Sequence, residues 1–175
     1  IVVIGAGEVG YNLVKALSKE KFDITVIEID EEKCHKMTST MDVQGIVGNG
    51  ASQRTLQQID MSKIDYLLAL TRIDEVNLVA AKIAHEMGAK KIICRLRNTE
   101  YSHKNAIIKP EQFGIDYVVY PERAAQHDIE NLIRQTSAVD IEEFKDGEIN
   151  MVGIQIDHSS PLVGRNVHNV ELSNP

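Results

Sequence analysis

Three glycines near the start of the chain have the spacing of a phosphate-binding turn. Gly5, Gly7 and Gly10 follow an apolar segment at residues 1–4 and precede an amphipathic segment at 11–19. In a G-x-G-x-x-G turn, the first glycine permits a tight bend. The second lets backbone amides approach a pyrophosphate, and the third lets the next helix pack against the strand. Because the positive end of that helix then faces the phosphates, the spacing predicts a dinucleotide-binding turn.

One acidic residue completes this pattern. Glu28 ends a second apolar segment, 18 residues after Gly10. A carboxylate in this position accepts the hydroxyl protons of an adenosine ribose and repels a ribose 2′-phosphate. We therefore expect NAD(H) to bind in preference to NADP(H). ATP or ADP is an alternative, because one half of such a fold recognises only adenosine and phosphates, and a domain that keeps its glycines only for packing is another.

Segments of strand character alternate with helical patterns as far as residue 136. We predict strands at 1–4, 23–28, 43–47, 65–70, 91–95 and 116–119, with helices between them and a last helix that begins near Pro121. Apolar strands in this alternation are typical of an α/β fold whose parallel sheet is covered on both faces. Six strands fit the Rossmann-like doubly wound order 3-2-1-4-5-6, in which a ligand lies beyond the carboxyl ends of strands 1 and 4.

Two further loops are predicted to border that ligand. Asn49, Gly50 and Ala51 follow the third strand and offer small side chains and exposed amides on the expected adenine side. A plain turn is the alternative. Leu70 and Thr71 end the fourth strand, where the strand order reverses, so they would border the second half of a dinucleotide.

Two arginines end the predicted fifth strand. Arg95 and Arg97 are two residues apart, so in an extended segment they share a face. That geometry suits a grip on a phosphate or on a carboxylate of a partner. Surface ion pairing is the alternative for each of them.

The helical pattern at residues 75–87 is apolar around more than one face. A helix that covers one side of a sheet needs a single apolar stripe, so a second buried face is predicted. Neighbouring helices are one candidate for the cover, and a subunit interface in a homo-oligomer is the other.

Composition narrows the class of protein. The chain has 175 residues, a formal net charge of −7 and a pI near 5.4, which argue against a nucleic-acid or anionic-lipid surface. Apolar runs of about five residues are too short to span a bilayer, and no signal-peptide pattern is present. Cys34 and Cys94 lack metal or redox spacing and are expected to be inert thiols in a reducing cytosol.

The pattern changes near residue 137. Alternating segments at 141–144 and 148–156 flank an Asp146-Gly147 turn, which predicts a β-hairpin. The remaining residues are too few for an independent core. We therefore expect a nucleotide-binding domain at 1–136, followed at 137–175 by a linker and the incomplete start of a small α+β C-terminal domain.

Features of an enzyme are absent from the sequence pattern. The Tyr11–Lys15 pair has the spacing of a catalytic Tyr-x-x-x-Lys, but it lies on the helix that carries the glycine turn and would point away from a hydride site. The six histidines show no metal-ligand spacing, so no metal site is predicted. These patterns favour a domain that senses a nucleotide over one that turns it over.

A series of motifs then resembles one family. In order they are Ile-Gly-Ala-Gly-Glu-Val-Gly, Val-Ile-Glu-Ile-Asp-Glu-Glu-Lys, Gly-Asn-Gly-Ala-Ser, Asp-Glu-Val-Asn-Leu, Arg-Leu-Arg-Asn-Thr-Glu-Tyr, Gly-Ile-Asp and Tyr-Pro-Glu. The series resembles the TrkA-type regulator of potassium conductance (RCK or KTN) domain over residues 1 to about 136. Segments at 146–147 and 160–164 resemble the start of the TrkA C-terminal lobe.

The resemblance implies a regulatory subunit that lies in the cytoplasm on the inner face of the cell membrane. Such a subunit assembles into a homo-oligomeric ring on a membrane-embedded Trk-type potassium channel or transporter and responds to NAD(H) or ATP/ADP. An NAD-dependent dehydrogenase that lacks its catalytic domain is the alternative, and an assembly domain without a ligand is a third hypothesis.

The resemblance also assigns roles to individual residues. It places the pyrophosphate on the glycine turn, the ribose on Glu28, the adenine beside Asn49, the nicotinamide half near Thr71, and a phosphate or inter-subunit role on Arg95. Asn49 departs from the family, in which many relatives carry aspartate. The predicted cofactor-binding residues are Gly5, Ala6, Gly7, Glu8, Val9, Gly10, Glu28, Asn49, Gly50, Ala51, Leu70, Thr71 and Arg95.

Overall fold

The structure is a computed structural model that describes residues 1–103, 105–134, 138–144, 149–154, 156–160 and 162–164. The chain divides into two compact units, Ile1–Ala124 and Ala125–Pro175. The predicted domain boundary at 136–137 lies outside the described residues.

The first unit contains a six-stranded parallel sheet in the order β3-β2-β1-β4-β5-β6. This confirms the predicted α/β class and strand order. The registers place Val2, Val3 and Ile4 between β2 on one side and β4 on the other. The strands are β1 Val2–Ile4, β2 Thr25–Glu28, β3 Gln44–Val47, β4 Leu67–Ala69, β5 Ile92–Arg95 and β6 Tyr117–Val119.

Alternate side chains of the central strands enter two separate cores. Val2 and Ile4 point into one core and Val3 points into the other, and all three are almost fully buried. This follows from the two-residue period of a strand. Because both faces of β1 are covered, a ligand can reach this strand only at its ends.

Five α-helices are described in the chain. They are α1 Glu8–Leu17, α2 Glu31–Thr40, α3 Gln53–Leu56, α4 Asp74–Glu86 and α5 Pro121–Arg134. Asp30 caps α2, since its carboxylate accepts the backbone N–H of Lys33 at 3.1 Å. Pro121 begins α5 as predicted, in a position where its missing N–H costs nothing.

The expectation of a helix in every gap was wrong between β5 and β6. The described residues there form two 3₁₀ turns, Thr99–Ser102 and Pro110–Phe113. The second begins at Pro110, which has no N–H to donate, and ends at Gly114, whose φ of 74° is left-handed. Pro110 and Gly114 therefore limit the second of these segments to one short 3₁₀ turn.

The second apolar face of α4 is covered by the same chain. Ala80, Ala81 and Ala84 are fully buried in the core that also contains Ile115. The Pro110–Phe113 turn packs against this helix. A subunit interface is therefore not required to bury these alanines, and the chain itself provides cover for this face of α4. Self-association of the protein stays a prediction.

The second unit contains an antiparallel pair of strands. They are β7 Ala138–Phe144 and β8 Ile149–Ile154, with Phe144 opposite Ile149. The pairing agrees with the predicted hairpin. The predicted Lys145–Gly147 turn lies outside the described residues.

Two glycines of the first turn provide a matched test of the fold. A Cβ on Gly10 would collide with the backbone carbonyl of Gly5, whereas a Cβ on Gly7 would meet no atom within 4 Å. We expect Gly10→Ala to lower the free energy of unfolding by about 3 kcal/mol, the upper end of the overpacking range. Gly7→Ala should lower it by only about 0.5 kcal/mol. Urea denaturation measures both, and equal losses would contradict the packing role of Gly10.

Candidate functional site

A cleft of about 530 Å³ opens at the carboxyl ends of β1 and β4. This is the size range of small-molecule sites, and it lies where the strand order reverses, as the sequence predicts. Two predicted site residues, Gly10 and Ala51, do not line it. The predicted residues that do are Gly5, Ala6, Gly7, Glu8, Val9, Glu28, Asn49, Gly50, Leu70, Thr71 and Arg95.

The three glycines of the turn have different reasons to be glycine. Gly5 has a φ of 100°, which side chains rarely adopt, and it packs against Thr71. Gly10 lies against the carbonyl of Gly5 and lets α1 approach β1. Gly7 has an ordinary extended backbone and open space where a Cβ would be. No contact among the described residues requires a glycine at this position.

Glu28 is held in the cleft by backbone amides. Its side chain is largely buried, and its Oε2 accepts the N–H of Ala6 at 2.5 Å while its Oε1 accepts the N–H of Asp30 at 3.0 Å. A carboxylate oxygen can accept more than one hydrogen bond, so each oxygen of Glu28 retains capacity for a further donor. The same bonds fix the position of the glycine turn relative to the end of β2.

Several lining residues were not found by sequence reasoning. Lys33 lines the cleft one turn into α2, and its Nζ lies 3.2 Å from the carboxylate of Asp30. Ile29 and Ile73 add exposed apolar surface to the lining. Such side chains could provide apolar contact to the flat face of a ring in a ligand. The sequence did offer a signal for Ile29, because this residue directly follows Glu28 at the end of β2.

The loop after β3 forms a local turn. The Oδ1 of Asn49 accepts the backbone N–H of Ala51 at 2.9 Å, which is the bond of an Asx turn. Asn49 and Gly50 line the cleft. The loop therefore forms a plain turn, as the alternative interpretation proposed, and it also lies beside the cleft.

Asn77 joins the ends of β4 and β5. It is fully buried, and its Oδ1 accepts the backbone N–H of Thr71 at 3.0 Å and the hydroxyl of Thr71 at 2.7 Å. Its Nδ2 donates to the carbonyls of Thr71 at 3.0 Å and Arg95 at 2.8 Å. Both donors and both acceptor sites of this amide are used. Asn77 therefore positions two predicted site residues without lining the cleft itself.

Asp74 makes a similar connection one turn earlier in α4. Its carboxylate accepts the backbone N–H of Arg97 at 3.0 Å and that of Asn98 at 2.8 Å. The carboxylate is largely buried, so these bonds compensate its lost hydration. The first turn of α4 is thereby fastened to the chain that leaves β5.

Arg95 at the end of β5 and Arg97 just beyond it converge on one carboxylate. The Oε1 of Glu122 accepts from Nη2 of Arg95 at 3.3 Å and from Nε of Arg97 at 3.1 Å. The backbone N–H of Glu122 and the charges of both arginines hold the pKa of its carboxyl below the usual value. Arg97 therefore follows the ion-pair alternative. Arg95 makes an ion pair and also lines the cleft.

Metal binding, thiol reactivity and membrane crossing each place requirements on the described part of the chain. No group of three His, Cys, Asp or Glu side chains is placed to hold a metal ion there. Cys34 and Cys94 are buried free thiols, and burial raises the pKa of Cys94 to about 12. Within these same ranges, no helix combines the length and apolar character needed to cross a membrane.

Substitution of Asn77 tests its positioning role. Asn77→Leu removes the partner of three partly buried backbone groups and should lower the free energy of unfolding by about 1–3 kcal/mol. Asn77→Asp should be destabilising at pH 8 and recover part of the loss near pH 5. Its carboxyl would be buried beside two carbonyls, so the folded state favours the protonated form, which donates a hydrogen bond. Chemical denaturation at both pH values measures this.

The control for this experiment is Val79→Ala on the exposed side of α4. It should change the free energy of unfolding by about 0.5 kcal/mol or less. An Asn77→Leu protein as stable as the wild type would show that the four hydrogen bonds do not position the strand ends.

Comparison with known proteins identifies the family of this chain. Residues 1–121 match the TrkA-N domain family. The Trk system potassium uptake protein TrkA of Halomonas elongata is 31% identical over 166 residues, which are 94% of this chain and 36% of that protein. The TrkA homologue of Methanothermobacter thermautotrophicus is 34% identical over 170 residues, 97% of this chain and 76% of that protein. The chain thus spans little more than a third of the Halomonas protein.

Solved structures show the same fold. The GsuK channel bound to NAD matches with a TM-score of 0.66 and 14% identity, over 83% of this chain and 25% of that one. GsuK bound to ADP matches with a TM-score of 0.60 and 18% identity, over 77% of this chain and 34% of that one. Since the family match covers well over half of the residues and the Methanothermobacter relative aligns along most of its length, this chain belongs to the TrkA-N domain family.

Proposed function

We propose that this chain is the nucleotide-binding part of a regulatory subunit of a Trk-type potassium uptake system. The open space at Gly7 carries the proposal, because a glycine that the fold does not need is explained by a ligand that approaches its backbone. The relatives named as Trk system potassium uptake proteins support the biological setting. The partner would be a membrane-embedded potassium channel or transporter, with the regulatory subunit as a homo-oligomer on its cytoplasmic side.

The cleft suits a nucleotide that crosses from β2 to β5. The adenosine ribose would bind Glu28 and the base would lie beside Asn49 and Gly50. The pyrophosphate would lie on the amides that follow Gly5 at the N-terminus of α1. The second half of NAD(H) would extend toward Thr71. The solved GsuK structures contain NAD in one case and ADP in another, which supports both classes of nucleotide as candidates.

Regulation is a better fit to this cleft than catalysis. The described lining contains no histidine, cysteine or tyrosine that could exchange a proton beside a nicotinamide ring. A ligand would instead act by differential affinity for two arrangements of the subunit. Its two halves would contact separate parts of the sheet, the glycine turn with Glu28 on one side and the loop fastened by Asn77 on the other. Occupancy of the cleft would then alter the relative free energy of the two arrangements of the subunit and so change potassium flux.

Titration of the chain with NADH, NADPH, ATP and ADP tests the binding proposal. We expect saturable binding of NADH or of the adenine mononucleotides in calorimetry. Gly7→Val should weaken that binding at least tenfold, because its side chain would occupy the space of the phosphates, and thermal unfolding should show that the variant remains folded. Wild-type affinity in the folded Gly7→Val protein would contradict the assignment of the glycine turn.

The preference for NAD(H) over NADP(H) depends on the charge of Glu28. Glu28→Gln keeps a side-chain oxygen to accept a backbone N–H but removes the charge that repels a 2′-phosphate. We expect the NADPH affinity of this variant to rise relative to its NADH affinity, by about tenfold if about 1–2 kcal/mol of repulsion is lost. Calorimetry with both dinucleotides gives the ratio. An unchanged ratio would mean that Glu28 does not select the ribose.

A further inference from the structure

One cation of the cleft lies on the same side as Glu28. The cationic side chains that line the cleft are Lys33, Arg72 and Arg95. The two arginines lie at the ends of β4 and β5, whereas Lys33 lies in the first turn of α2, the helix that follows β2 and Glu28. Lys33 is therefore the cation that a further negative charge on a ribose at Glu28 would meet.

Asp30 holds this lysine at two points. Its Oδ1 accepts the backbone N–H of Lys33 at 3.1 Å, and its Oδ2 lies 3.2 Å from the Nζ of the same residue. The lining of the cleft includes Lys33 but not Asp30. The side chains of Lys33 and Asp30 are 58% and 39% exposed, so water screens the pair and another anion can replace the carboxylate.

The backbone links this ion pair to Glu28. The N–H of Asp30 donates to the Oε1 of Glu28 at 3.0 Å, which places two carboxylates and one ammonium group beside the ribose site. Asp30 balances the charge of Lys33, so the charge of Glu28 is left uncompensated. Without the charge of Asp30, Lys33 would balance Glu28 instead.

A ribose 2′-phosphate is the group that separates NADP(H) from NAD(H). A phosphate monoester carries about 1.5 to 2 negative charges at neutral pH. An ammonium group binds such an oxyanion through charge-assisted hydrogen bonds. The 2′-hydroxyl of NAD(H) is uncharged and gains much less from the same lysine. The availability of Lys33 thus affects the affinity for NADP(H) far more than the affinity for NAD(H).

We propose that Asp30 withholds Lys33 from a 2′-phosphate and is a second determinant of the preference for NAD(H). This inference rests on the proposed nucleotide binding. It adds that two carboxylates reject NADP(H) in different ways. Glu28 repels the phosphate directly, whereas Asp30 acts through Lys33 and is a positioning residue.

Calorimetry of the 175-residue chain with NADH and NADPH tests this role. Asp30→Asn keeps a side-chain oxygen that caps α2 and removes the charge that holds Lys33. It should raise the NADPH affinity relative to the NADH affinity about threefold to fivefold, the upper part of the range for an exposed ion pair. Asp30→Ser, which also supplies a capping oxygen, should give the same change.

Two controls separate the action through Lys33 from the loss of a negative charge. In a Lys33→Met background, Asp30→Asn should change the affinity ratio less than about twofold, because only its direct repulsion of the phosphate remains. Glu31→Gln removes the same charge from the first turn of α2 and should also change the ratio less than about twofold.

Phosphorus-31 spectra of bound NADP⁺ give an independent measurement. A contact with the ammonium group favours the dianion, so the pKa of the 2′-phosphate should be lower in Asp30→Asn than in Asp30→Asn/Lys33→Met. An unchanged affinity ratio in Asp30→Asn, an equal change in the Lys33→Met background, or an equal change in Glu31→Gln would overturn the role of Asp30. Failure of the wild type to bind either dinucleotide would instead overturn the proposed function.

Discussion

The cleft depends on the contact between Gly10 and the carbonyl of Gly5. With no side chain at Gly10, α1 starts directly against the end of β1, and the intervening residues are forced into a tight turn. That turn presents the N–H of Ala6 to the carboxylate of Glu28. The absence of a side chain at Gly10 therefore determines the position of both the glycine turn and Glu28. A side chain at Gly10 would move all of these groups together, since their separations are fixed by backbone.

The opposite wall is built by hydrogen bonds rather than by close packing. Asn77 and Asp74, both near the start of α4, bind the backbone at the ends of β4 and β5. Polar groups that are fully satisfied in a buried position favour one arrangement of the chain over others. The cleft thus has two walls, each fixed internally by its own contacts. A ligand that spans them can bias their relative position only through the difference in its contacts to each wall.

The sheet and the first wall follow from local sequence signals. Strand order could be predicted because apolar segments alternate with helical ones, and Gly5, Gly10 and Glu28 have fixed separations. The role of Asn77 could not be predicted in this way, because its partners Thr71 and Arg95 are 6 and 18 residues away in the sequence. Two of its hydrogen bonds also go to backbone carbonyls, which every residue has. The Glu122 pair was equally hidden, since its arginines lie 27 and 25 residues earlier. Neighbouring helices or a second subunit were expected to cover α4, and a 3₁₀ turn of the chain contributes to this cover instead.

The proposed regulation requires that occupancy of this cleft controls potassium movement through a membrane partner. The direct measurement is potassium flux in liposomes that contain the partner transporter and the full-length regulatory subunit, with and without NADH, ATP or ADP, for wild type and Gly7→Val. We expect at least one of these nucleotides to change the flux of the wild type and none of them to change the flux of the variant. A flux that is independent of nucleotide in the wild type, or one that still responds in a Gly7→Val protein unable to bind nucleotide, would contradict the proposed regulation.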